Sequence, residues 1–115
     1  MKLIAVTVIA ATIFIPHVAL ADWVEVGHSR AGDHMYVDDD SIAKESHFVS
    51  FRSKMSGGST REVSIFAADC QSGQYQLQDT VVNDQRVVLK GGFPISRAPL
   101  GSLGSAAIQY ACGDH

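Results

Sequence analysis

The residues in this chain with the most chemical potential are its histidines. His28, His34, His47 and His115, with Asp33 and Asp114 nearby, supply the donor types that bind a transition metal. Their spacing matches no zinc signature: no His-x-x-x-His falls on a helical stretch, and the cysteines are not paired with histidines. His28 and His34 flank a turn and would face each other across a hairpin, the one pair that geometry favours. The reading is nevertheless of exposed histidines at strand ends and at a terminus, with no metal and no other cofactor.

Asp38-Asp39-Asp40 offers carboxylates for calcium, but they are contiguous, whereas a calcium loop needs acids at alternate positions and a central glycine. They read as a solvated turn, with Asp38 accepting local backbone hydrogen bonds. Gly101-Ser-Leu-Gly-Ser105 imitates a nucleophile turn without being the Gly-x-Ser-x-Gly elbow, and no strand leads into it. Gly57-Gly58 and Gly91-Gly92 fit neither phosphate-binding glycine pattern. No residue is assigned a catalytic role, and the chain reads as a non-enzyme. Cys70 and Cys112 lack the Cys-x-x-Cys spacing and the flanking bases of a reactive thiol. In an exported chain they read as one disulfide.

The elements that carry these residues follow from their periods. Trp23 to Ser29 alternates as a strand, with Trp23 and Glu25 on one face and Val24 and Val26 on the other. Arg30 to Asp33 turns the chain, and His34 to Val37 returns it. Asp38 to Glu45 suits a single helical turn. His47 to Met55 places Val49 and Phe51 inward; Ser56 to Thr60 reads as a flexible loop. Arg61 to Cys70 is apolar on both faces, as a central strand covered on both sides would be. Gln74 to Val82 puts Tyr75, Leu77 and Val81 inward and Thr80 outward. Asn83 to Gln85 turns into Arg86–Lys90, and Gly91 to Gly101, with Pro94 and Pro99, reads as an irregular crossing. Ser102 caps a helix whose apolar stripe is Leu103, Ala106, Ala107 and Tyr110. The fold class is therefore α+β: an antiparallel sheet of about six strands, one C-terminal helix packed on it, and one disulfide.

Residues 1–21 read as a secretory signal peptide, with Lys2, a charge-free run from Leu3 to Ile15, and Ala19-Leu-Ala21 at the cleavage site. The mature chain is then a single domain, 22–115, exported by a Sec-type route to the periplasm, the cell surface or the medium, with no transmembrane segment of its own. Without the leader the net charge moves from −3 to −4, which disfavours nucleic acid and anionic surfaces as partners.

The motifs Trp23-Val-Glu-Val-Gly27, Tyr36-Val-Asp38 with Ser41-Ile42, Phe66-Ala-Ala-Asp-Cys70 with Tyr75, Gly101-Ser-Leu-Gly104 and Tyr110-Ala-Cys112 occur in an ordered series. In that order they resemble the surface-adhesin protein E-like family of small exported bacterial proteins. The resemblance implies an antiparallel sheet with a C-terminal helix and the Cys70–Cys112 bridge. It also implies a protein-binding role, toward host or extracellular-matrix proteins. A periplasmic accessory or inhibitor protein with one protein partner is the alternative. In either case Trp23, Tyr36, Asp38 and Tyr110 are expected as structural anchors, Trp23 and Tyr36 of them in the core.

Overall fold

A computed structural model describes residues 22–113. The expected leader, His115 and Asp114 lie outside the described residues. Eight strands and one helix follow in chain order: β1 (Trp23–His28), β2 (His34–Asp38), a 3₁₀ turn (Asp39–Ser41), β3 (Ala43–Glu45), β4 (Phe48–Gly57), β5 (Thr60–Asp69), β6 (Gln74–Val82), β7 (Gln85–Arg86), β8 (Ile95–Arg97) and α1 (Leu103–Cys112). The sheet is antiparallel in the order β1-β2-β4-β5-β6-β7; β3 joins the edge of β4 and β8 the edge of β6. This is the expected architecture: a six-strand path with two three-residue strands beside it.

The core lies between one face of the sheet and α1. Val37, Met35, Val49, Phe51, Phe66 and Ala68 from the sheet meet Ala107, Ile108 and Ala111 from the helix. Phe51 and Phe66 are directly paired across β4 and β5, and their rings stack at 5.2 Å between centroids. The helix is capped as its sequence requires: Ser102 accepts a hydrogen bond from the Ser105 N–H at 3.1 Å. Its buried stripe differs from the expected one, because Ala107, Ile108 and Ala111 face the sheet while Leu103 and Tyr110 flank them. The cause is the tether. Cys112 bonds Cys70 just past the end of β5, and a helix held at that position turns Ile108, four places before it, toward the sheet, with Ala107 and Ala111 beside it.

Five other expectations are corrected. Ser56 to Thr60 is no flexible loop, since β4 and β5 pair as far as Gly57 and Thr60 and leave only Gly58 and Ser59 to turn, with Gly58 at φ +55°. Strand β5 is central in the sheet but covered on one face only; Ile65 is exposed and Val63 and Ala67 are half-buried. In β6 the inward set inverts midway: Phe66 pairs with Leu77 but Ile65 pairs with Asp79, so Gln78 is an extra residue. That bulge turns Thr80 inward, where it meets Ser64 Oγ at 2.7 Å, and sends Val81 to the face of Val63. Within the crossing, Ile95–Arg97 pairs with the start of β6 as β8, a strand too short for its periodicity to show.

The fifth correction concerns Trp23 and Tyr36. Neither is in the core, because both project from the face opposite α1, half-buried among charged neighbours. The alternation that buries Met35 and Val37 obliges Tyr36 to point the other way.

Candidate functional site

The chemistry-bearing residues collect in two places, the uncovered face of the sheet and the cleft where α1 meets the crossing. On the uncovered face, β1, β2 and β4 present transverse rows. In the first, Trp23 is paired with Asp38, and Arg52 Nη2 donates to Asp38 Oδ2 at 2.6 Å while its guanidinium lies 5.3 Å from the indole centroid. In the second, Glu25 pairs with Tyr36 and Tyr36 with Lys54, whose ammonium lies 4.9 Å from the phenol ring and 4.7 Å from the indole. In the third, His28 pairs with His34. Glu25 Oε2 lies 2.8 Å from His34 Nδ1 and 3.9 Å from His28 Nδ1.

Asp38 is the structural knot of this face. Buried at 3% exposure, it accepts from the Asp22 and Asp40 N–H groups at 3.2 Å as well as from Arg52. Ser41 Oγ donates to the Asp38 carbonyl and accepts from the Arg52 N–H, so the 3₁₀ turn, β1 and β4 are joined through neighbouring atoms. The other acids of the run behave differently. Asp22, Asp39 and Asp40 bring their carboxylates within 4.8 Å of one another, and Asp39 accepts from the Tyr110 hydroxyl at 2.7 Å. That hydrogen bond to an anion holds the Tyr110 phenol above its ordinary pKa, with burial adding to the effect. Tyr110 thus fastens α1 to the 3₁₀ turn.

His47 takes no part with the other histidines. Its Nδ1 lies 2.8 Å from Asp69 Oδ1, and that contact, with the Gln71 N–H donating to the same carboxylate, lowers the Asp69 pKa to about 2. Asp33 accepts instead from its own turn, through Ser29 Oγ. Ser102 and Ser105, the imitators of a nucleophile, are committed to the helix: Ser102 caps it, and Ser105 Oγ accepts from Gln109 Nε2 at 3.1 Å.

The second place is a cleft of about 460 Å³ lined by the Cys70–Cys112 bridge, Ala98, Pro99, Leu100 and Ile108, with Arg97, Ser105 and Gln109 as its polar members. Arg97 is held there by donating Nη1 to the Ser72 carbonyl. Leu100, in the cleft wall, is 92% exposed; elsewhere between β7 and α1, Val88 is 79% and Ile95 67% exposed.

Sequence reasoning found His28 and His34 as a pair, the disulfide, and Asp38 as a local acceptor. It missed Glu25, which alternation places away from His28, and it missed the cleft, whose walls come from segments far apart in the chain. Gly27 is the one available signal for the first, since a glycine inside a strand often marks a bulge. No family model, no curated protein and no solved structure matches this chain. No helix among the described residues is long and apolar enough to cross a membrane.

Proposed function

We propose that this domain is a non-enzymatic binding module of an oxidising, extracytoplasmic compartment, and that it grips a protein partner through the crossing between β7 and α1. The observation that carries the reading is the cleft beside Leu100, with exposed Val88 and Ile95 on the same segment. Its volume lies in the range of built ligand sites, and its walls are mainly apolar with a few convergent polar groups. Leu100 in the cleft wall is itself almost wholly exposed, so the cleft is open, which suits a protein surface with one anchoring side chain better than a small molecule enclosed on all sides. A disulfide in a domain of this size fits a compartment that keeps thiols oxidised. Adhesion to extracellular-matrix proteins, as the adhesin E-like resemblance implies, is the specific form of this proposal.

The test is retention of the purified chain on a panel of immobilised extracellular-matrix proteins, beside a Leu100→Asp variant. Leu100 is so exposed that the substitution leaves folding intact. Binding that falls at least tenfold in the variant supports the reading. Absence of binding across the panel removes adhesion and leaves the accessory or inhibitor role, for which a single partner from the envelope should be captured by the wild-type chain and lost by the variant.

A further inference from the structure

We infer that Glu25, His28 and His34 form a binding site for a divalent transition ion of the zinc type, built on the β1–β2 hairpin. Two features of the hairpin carry the inference, and neither involves the cleft or its partner.

The first is backbone geometry. Residues three apart in a regular strand point to opposite faces. Here Glu25 pairs with Tyr36 while Gly27 pairs with Met35, so Val26 is an extra residue, and the bulge returns His28 to the face of Glu25. The Ser29 N–H bonds the Asp33 carbonyl at 2.8 Å, which makes the next pair, His28 and His34, a non-hydrogen-bonded one. Side chains at such a pair stand closest together. The bulge is also braced from below. Gly27 lies so near α1 that a Cβ added there would sit 3.2 Å from Leu103 Cδ2. The backbone presenting the three side chains is therefore backed by the helix.

The second is the arrangement of the side chains. The imidazole centroids are 5.9 Å apart. Two imidazoles sharing one tetrahedral zinc, at N–Zn distances of about 2.0–2.1 Å, have centres roughly 5 Å apart, so the exposed His28 side chain has to swing toward His34 to complete the pair. The Glu25 carboxylate serves both rings from one oxygen, with Oε2 hydrogen-bonded to His34 Nδ1 at 2.8 Å and 3.9 Å from His28 Nδ1. All three side chains line one open concavity with Val26 and Gly27, about 630 Å³ in volume. Tyr36, 6.5 Å from His34 by ring centroids, closes the side toward Lys54. Two neutral imidazoles and one carboxylate are a zinc donor set with a fourth position open. The nitrogen donors disfavour calcium and magnesium, which take oxygen.

The experiment is a titration of the tag-free chain with zinc chloride alone, read by calorimetry and by the NMR signals of the histidine rings. The expected result is a single equivalent of zinc that shifts His28 and His34 and leaves His47 unmoved. His28→Ala and His34→Ala should each weaken binding at least tenfold, and Glu25→Gln several-fold. The affinity should fall as the solution is acidified, because protons compete with the metal for its ligands. All three side chains are substantially exposed, so circular dichroism of each variant should match wild type. Zinc binding absent at millimolar metal, unchanged in the histidine variants, or centred on His47–Asp69 or on the Asp22–Asp39–Asp40 cluster would overturn the inference.

Discussion

Replacing both cysteines by serine tests whether the bridge is what keeps α1 on the sheet. The bridge spans a sequence separation of 42. The chain-entropy relation for a loop of that length gives about 4 kcal/mol of stabilisation at 25 °C. Against this, the total stability of a domain of this size is on the order of 5–14 kcal/mol. The helix has little else to rely on. Its fully buried apolar residues are two alanines and Ile108, and ten residues make a helix that is marginal by itself in water. The Ser102 cap at one end, and at the other the Tyr110–Asp39 hydrogen bond and the one Lys44 donates to the Gly113 carbonyl, add to the fastening. At about 4–8 °C per kcal/mol, the double variant should melt some 15–30 °C below wild type in non-reducing buffer. Amide exchange in Leu103–Cys112 should accelerate more than in β4 and β5, since the helix loses its tether and the strands keep their ladder. A melting temperature lowered by less than about 5 °C would refute this account, and so would helix amides as protected as before. Either result would mean that helix docking rests on packing alone.

Three further outcomes are expected. Thr80→Val should cost about 0.5–1.5 kcal/mol in denaturant titrations by removing the 2.7 Å bond to the buried Ser64 hydroxyl, which keeps its 3.3 Å bond to Glu62 Oε2; an unchanged stability would refute the pairing. Gly57→Ala should cost about 1–3 kcal/mol although it adds one methyl group, because the new Cβ would lie 2.8 Å from the Asp33 Cα in the β1–β2 turn; no measurable loss would show that the two hairpin tips can separate freely. Asp69, held to about pKa 2 chiefly by His47, lies below the value of an unfolded aspartate, so it stabilises the fold fully above about pH 4 and loses that contribution as the pH falls toward 2; Asp69→Asn should remove this part of the acid dependence, and an unchanged acid profile would refute the assignment.

Legibility in the sequence followed the local regularity of the chain. Val49 and Phe51 were readable because β4 runs ten residues without a bulge, and Ser102 because a cap acts on the N–H groups directly after it. The two bulges defeated alternation in the same way: one added residue at Val26 or at Gln78 inverts every assignment beyond it, and neither residue type announces the insertion. Trp23 and Tyr36 were misplaced because size alone suggested the core, whereas their strands give the buried face to Met35 and Val37, and Arg52 and Lys54 supply cationic partners on the other side. The cleft was invisible for a different reason. Gly73, Arg97, Leu100 and Gln109 adjoin only once the helix has been tied to the end of β5, a condition set by tertiary structure.

The unbroken pairing of β4 with β5 also fixes a length. His34 sits beside Ser56 at one end of β4, while Phe48 at the other end pairs with Asp69, next to the bridging Cys70. Eight residues of strand at roughly 3.3 Å each separate those positions by about 26 Å. The pair of long strands is thus a stiff spacer bar with different fittings at its two ends, one ionic and one greasy. A partner engaging both must carry its own complementary features at that separation, and a partner too small to span the bar can occupy only one of them.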